Sequence, residues 1–515
     1  RVALNTGTHQ FTLVDRKTNE ERWKEHLTAT QFAQYIFVYY GAPQPHTPRY
    51  RYHTVGHIVV LPVANMVFGI DPVNKKVLWE KNLLGSTKNV SMQQQGTLPD
   101  PATGQLVITY ADGYQQRLGQ MGPVGASYVC LQTRDGLLTV DPVSGRTLWT
   151  RSDVSPRSQL FGDDDYVYLV EIGTDGTTGG CRAFRASDGV SVKVPDFAAL
   201  YQKRVRTIGR NILLSDEGKT LALRLYDVQE GKDVWKREFK AGSVVLKAED
   251  PNLAGVIEPD GKTTIIDLST RKEVLVAAID PKHVGKPDAV YLLDDAQNFY
   301  IAINGPKDAN NNPAAAAAGG GMGGPIAIAM PGMPGGGFGA NLGIQSGLMP
   351  GSGMRSIPVD GYFYAIDRQT GKVRWNSPVP NQTIVLEHFR EIPVIMFTAR
   401  PFADMGRGVK NFNMQVTSFQ SIEKRTGKRL LDESDIPNNA TFHSLNVDLR
   451  AGKVELIGHN VKMIHYLSEA AYEAAKQQGT TQPQGNSRTS EMQAPGRRTR
   501  VNTQPVPLQL IEKQP

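Results

Sequence analysis

The sequence predicts an all-β fold, an eight-bladed β-propeller of four-stranded antiparallel blades, and three observations predict it. All five tryptophans, Trp23, Trp79, Trp149, Trp235 and Trp375, stand eight residues after an aspartate: Asp15, Asp71, Asp141, Asp227 and Asp367. Three weaker copies, at 183–193, 265–275 and 421–431, keep the same frame with Lys193, Leu275 and Leu431 in the tryptophan position. Five copies carry a glycine four residues past the frame residue: Gly145, Gly189, Gly231, Gly371 and Gly427. Such regularity is internal repetition, and units of about 40 residues with several strands each are propeller blades.

Each element of the motif has a physical reading. A strand runs into the aspartate and a second strand leaves through the tryptophan, as in TVDPVSGRTLW (139–149) and AIDRQTGKVRW (365–375). A three-to-five-residue hairpin between them needs one left-handed residue, which glycine supplies without strain. Thr18, Ser144, Asp188, Thr370 and Thr426 precede that position and suit a turn, and Asn19 replaces glycine in the first copy. The aspartates, Asp267 included, can accept backbone N–H groups of the turn. Upstream runs such as DDDYVYLVE (163–171) and DAQNFYIAI (295–303) supply further strands. Tryptophan then covers apolar surface between neighbouring blades.

Ring closure follows from the two ends. The first copy has one strand, 9–15, before its turn, while 441–460 carries two strands with no later tryptophan. The two segments are expected to share one blade, which gives eight; seven blades result if the copy at Ala183 or Ile265 is not separate. Residues 304–357 are expected to be a flexible Gly/Ala/Met/Pro-rich insertion within one blade. Its Met322, Met330, Met333, Met349 and Met354 offer an adaptable contact surface or a soft-metal site, weighed against a plain surface loop. From 467 to 515 a short helix, SEAAYEAAKQQ, gives way to a disordered tail with a basic GRRTR at 496–500.

Composition narrows the function classes. Of 515 residues, 40% are hydrophobic and 21% charged, ordinary globular values, and no apolar run reaches the length of a membrane span. A net charge of +7 over this length does not argue for nucleic-acid binding. Two cysteines exclude a disulfide-dense scaffold and any CxxC zinc site. The chain opens on Arg1 without a basic-then-apolar leader, so it is expected to be a processed form or a segment of something longer.

The repeat, Ala/Ile/Val-Asp-x-x-Thr/Ser-Gly-x-x-x-Trp, resembles that of the quinoprotein-type (PQQ-like) propellers over about 11–460. Two groups share it. One is the quinoprotein alcohol and glucose dehydrogenases, which hold pyrroloquinoline quinone and calcium; the other resembles the outer-membrane assembly lipoprotein BamB, a periplasmic scaffold without cofactor. The long low-complexity segment is similar in style to planctomycete envelope propellers. The resemblance implies either protein–protein scaffolding in the periplasm or cell envelope, or a quinone-dependent oxidoreductase. A sensor propeller of a longer protein is a third reading.

The residues lean towards the scaffold. The dehydrogenases often carry an adjacent Cys-Cys pair, whereas Cys130 and Cys181 stand apart and read as buried free thiols, a disulfide between them being the alternative. The acidic run Asp163-Asp164-Asp165 lacks a calcium-loop pattern and reads as a solvated turn. His53 and His57 would share one face of a strand, without a third zinc ligand. Neither a nucleophile elbow nor a phosphate loop is present. The expectation is therefore no enzyme, no catalytic residue, no cofactor and no metal. Protein partners bind through the loop faces, nucleic acid is not bound, and any membrane contact is peripheral. Limited proteolysis should cut first within 304–357 or after about residue 470, leaving a stable body whose mass checks the assignment.

Overall fold

The computed structural model describes residues 2–5, 10–14, 20–26, 52–83 except 64, 97–99, 106–109, 115–117, 121–305 except 174, 175 and 286, 347–348, 355–399 except 387, 419–431, 442–458, 462–467, 471, 473, 474 and 477. Nearly all of 306–354 and of 478–515 thus lies outside the described residues, including the expected insertion and its methionines. Described helix is confined to Ala198–Gln202, a 3-10 turn at Pro281–His283, and positions 471, 473, 474 and 477. All else that is regular is β-strand.

The strands form consecutive antiparallel meanders, named here by their frame residue; the Asp267, Asp367 and Glu423 meanders run on into one continuous sheet, the first two joined by a parallel ladder, Lys247↔Tyr291 and Ala248↔Leu292. The Asp71 sheet is His53–Val55, Ile58–Val63, Met66–Asp71 and Lys76–Asn82. The Asp141 sheet is Met121–Val124, Val129–Thr133, Gly136–Val140 and Thr147–Arg151. The Arg185 sheet runs from Gln159–Gly162 to a two-residue fourth strand, Ser191–Val192. The Asp227 sheet runs from Arg204–Ile208 to Lys232–Phe239, and the Asp267 sheet from Val244–Ala248 to Lys272–Ala278. The Asp367 sheet comprises Ala289–Asp294, Asn298–Asn304, Arg355–Asp367 and Val373–Val385. In each, the frame residue ends the third strand or, at Asp141, directly follows it, and the tryptophan position lies in the fourth strand, except in the Arg185 sheet, where Lys193 directly follows Ser191–Val192.

The eight-residue offset has a structural cause. In six copies the register between the two strands that flank the repeat turn slips by one residue just before the tryptophan position, as between Gly69↔Trp79 and Ile70↔Val77 or Ile265↔Leu275 and Ile266↔Glu273. A turn plus a β-bulge therefore separates aspartate from tryptophan, and the bulge adds twist to the outer strand.

Chain division gives two compact units: 1–14, 21–346 and 360–379; and 15–20, 347–359 and 380–515. In the first, the core is a series of layers between consecutive sheets. Val60, Val67 and Trp79 of the Asp71 sheet pack on Val129, Leu131 and Val140 of the Asp141 sheet. Cys130, Leu137 and Trp149 pack in turn on Val167, Leu169 and Phe184 of the Arg185 sheet. The same pattern continues through Leu213 and Leu223 against Val256 and Ile266, then Leu246 and Leu275 against Leu292 and Ile301. Sheets buried face to face in sequence order are how propeller blades pack. In the second unit, strands Val394–Ala399, Phe419–Glu423 and Arg429–Leu431 form the Glu423 sheet, where Lys424 is buried over the Phe389 ring at 4.3 Å.

Several expectations need correction. The first copy has two strands before its turn, Val2–Asn5 and Gln10–Val14, not one. The segment 441–460 contributes to a sheet of three strands, not two, Phe442–Asp448, Lys453–Gly458 and Lys462–Tyr466; among the described residues no ladder joins it to 2–26, and Arg450 pairs with Glu20 at 3.5 Å. The long interval between Asp71 and Asp141 holds an extra three-stranded sheet, Thr97–Pro99, Leu106–Thr109 and Gln115–Arg117. It carries no frame, so periodicity alone could not reveal it.

Trp149 is only 7% exposed and fills the layer between two sheets. Replacing it with alanine should cost about 3–5 kcal/mol in a denaturant melt. The same change at Trp235, which is half-buried, should cost clearly less.

Candidate functional site

The repeat turn concentrates the polar groups singled out by sequence, and its geometry decides what they do. Asp71 Oδ1 accepts the amides of Val73 and Asn74 at 3.0 and 2.9 Å. Asp141, Asp227, Asp267 and Asp367 hold the amides two and three residues on in the same way. The backbone closes the turn as well: Gly145, Gly231 and Gly371 donate to the carbonyls of Asp141, Asp227 and Asp367 at 2.9 Å. Gly189 and Gly427 do so to Arg185 and Glu423, also at 2.9 Å. Each of these glycines has φ between 65° and 75°, the left-handed value the turn requires. Asp15 lies outside the described residues.

Hydrogen bonds to the charged form lower a carboxyl pKa. The Asn74 amide, then its side chain, hold Asp71 down at about 2, and the Thr370 amide with Arg374 holds Asp367 there too. Asp141 and Asp267 shift the same way, led by the Ser144 amide and the Ser269 hydroxyl. These groups are ionised and engaged in their own turns.

The tryptophans complete the turn of the next sheet. Trp79 Nε1 donates to Pro142 O at 2.8 Å and Trp149 Nε1 to Ala186 O at 2.7 Å. A Cβ on Gly145 would lie 2.3 Å from Trp79 Cγ, and one on Gly189 would lie 2.7 Å from Trp149 Cδ2. Where the preceding copy lacks tryptophan, other groups take the seat. Pro195 covers Gly231, and the Val276 carbonyl with Leu275 covers Gly371. Trp375 is buried and stacks on Phe363 at 6.0 Å.

Two copies break the glycine rule in a way sequence reasoning missed. Lys75 (φ 55°) and Arg271 (φ 61°) occupy the left-handed position. The tryptophans that precede them, Trp23 and Trp235, are the half-buried ones, whereas Trp79 and Trp149 are closed.

Asp163–Asp165 is no mere solvated turn. Asp163 pairs with Arg210 at 2.5 Å, its carbonyl accepts from Tyr128 Oη at 2.5 Å, and Asp164 accepts the Ala126 amide at 2.9 Å. The run therefore clasps the Asp141, Arg185 and Asp227 sheets. Cys130 and Cys181 are both free, but only Cys130 is buried, which pushes its thiol up to about 12. Cys181 is half-buried and donates to Asp196 at 3.3 Å while accepting the Phe197 amide. His53 and His57 do not share a strand face, because a two-residue turn at Gly56–His57 follows Val55, and His57 lies 3.5 Å from Asp71 instead. Among the described residues no three His, Cys, Asp or Glu side chains are grouped to hold a metal, and no helix is long and apolar enough to cross a membrane.

The repeat and its sheets fit a PQQ-like β-propeller. No family model and no curated protein matches the sequence. Among solved structures, the chain is similar to BamB from Moraxella catarrhalis at 11% identity and TM-score 0.33, over 81% of this chain and 92% of that one. It is similar to the computationally designed Ika8 protein at 9% and 0.29, over 81% and 95%. It is also similar to the dihydro-heme d1 dehydrogenase NirN at 10% and 0.31, over 90% and 70%. Similarities of this size assign neither activity nor partner.

His465, buried beside Ser421 Oγ at 3.4 Å, has its pKa pushed by burial from 6.5 down to about 4. A depressed native pKa means that stability is full above about 6.5 and falls as pH drops towards 4. His465→Gln should remove that part of the acid sensitivity in denaturant melts taken across this window.

Proposed function

We propose that the protein is a non-catalytic scaffold of the bacterial cell envelope, an eight-bladed ring that holds protein partners through its turns and loops. The observation that carries this reading is the division of roles within the repeat turn. The aspartate and glycine are fixed inside the frame, while the second turn residue is thrust into solvent, with Val73 69% and Val143 61% exposed. Val190, one residue past the turn glycine, is 50% exposed. A rigid frame with free projecting side chains is what loop-borne recognition needs. Periplasmic placement and a peripheral membrane contact belong to the same proposal.

The residues that would serve the quinone-dependent alternative are engaged elsewhere. The two thiols lie in different sheets, Cys130 inside a packed layer and Cys181 against Asp196. The carboxylates of Asp163 and Asp164 already hold Arg210 and the Ala126 amide. These residues do not fit a quinone–calcium centre.

The test has two arms. Replacing Val73, Val143 and Val190 together with aspartate should abolish recovery of salt-resistant partners from native envelope extract while leaving the melting temperature within a few degrees. Reduction of a dye with an alcohol or sugar, dependent on added pyrroloquinoline quinone and calcium, would overturn the scaffold reading.

A further inference from the structure

We propose that the rim formed by Trp235, Val274 and Val276 is a docking site for an acidic, apolar peptide segment of a partner. The inference rests on the scaffold reading and assigns one surface and one partner chemistry to it.

In a glycine-bearing copy the preceding indole lies where a Cβ would be, so any side chain at that position excludes the closed arrangement. Arg271 holds a left-handed φ of 61° and carries a Cβ, so Trp235 cannot seat itself over this turn as Trp79 does over Gly145. Its indole is accordingly half-buried. A bulky residue held in that region is strained, and strain that persists is a marker of function rather than of framework economy.

Trp235 packs in part against the layer between the Asp227 and Asp267 sheets, and the strand beyond that layer carries apolar and positive groups. Arg271 Nη1 reaches Val234 O at 3.3 Å, and Arg237 pairs with Glu273, so the strand Lys232–Phe239 runs beside the start of Lys272–Ala278. Val274, the residue skipped in the strand register, is 38% exposed and Val276 45%. The fourth strand of the Asp227 sheet instead presents Lys232, Asp233, Lys236 and Glu238 to solvent. Those charges are largely compensated: Lys232 by Glu230, Asp233 by Arg224 and Lys236 by Glu238. Arg271 and Lys272 carry no ion pair among the described residues. An exposed edge strand is ordinarily protected by charge, and this one carries valines beside two uncompensated cations. Tryptophan and arginine together are the usual anchors of a protein interface. The complement is a segment whose apolar side chains cover Trp235 and the valines while its carboxylates meet Arg271 and Lys272.

The experiment uses the full chain and two synthetic peptides, one alternating leucine with glutamate and one alternating leucine with lysine. The acidic peptide should bind at least about tenfold more tightly, and Val276→Glu or Trp235→Ala should weaken it by about tenfold. Tryptophan fluorescence gives an independent readout that needs no peptide. Trp235→Phe should remove an iodide-quenchable component, and Arg271→Gly should bury it by restoring the seat. Equal affinity for both peptides, or an iodide-accessible fraction unchanged in Trp235→Phe, would overturn the proposal. Retention of envelope partners that depend on Val73, Val143 and Val190 would show that only this site has failed, not the scaffold reading.

Discussion

An indole laid over the turn glycine of the next sheet is the contact on which the first unit depends. It asks three things of the sequence at once. A tryptophan must stand in the outer strand with its N–H aimed at a carbonyl, as Trp79 meets Pro142 and Trp149 meets Ala186. A glycine must sit opposite, for its left-handed φ and for the space its missing Cβ leaves. The turn itself must be held still, and the aspartate does this with two backbone amides. Burial of a large aromatic then joins sheets whose strands share no hydrogen bonds.

The weaker copies show what this contact tolerates. Lys193 replaces tryptophan, and Pro195 two residues later covers Gly231. Leu275 replaces tryptophan, and the chain itself closes over Gly371 through the Val276 carbonyl. In both cases the seat remains and a smaller group fills it. Where the seat is lost, at Lys75 and Arg271, the preceding tryptophan stays partly open. The glycine is thus the stricter half of the pair.

Legibility in the sequence follows the range of the interaction. The turn was readable because its contacts are local: Asp141 to Val143, Ser144 and Gly145 spans four residues. The bulge was concealed inside the constant offset and needed the register to appear. The sheet at 97–117 has no frame and left no periodic trace. Arg210 gave no signal that it would pair with Asp163, because that contact is set by how two sheets stack rather than by either segment. Closure by the chain ends is a question of the same kind: strand count and position do not specify which edges meet, and the contact that links the two ends, Arg450 to Glu20, left no trace in either segment.

Function is less legible still, because the residues that make the repeat recognisable are the ones withdrawn from chemistry. The Asp71 and Asp367 carboxylates are ionised at any physiological pH and occupied by their own turns. The Cys130 thiol is buried and protonated. What the frame leaves over is surface, and surface is distinctive only where the repeat is imperfect. A turn that keeps glycine hides its tryptophan and offers a valine or a polar tip. A turn that replaces glycine with a cation goes with a preceding tryptophan that is only half-buried. Departure from the repeat, read together with the exposure it causes, is therefore a better guide to recognition here than conformity to it.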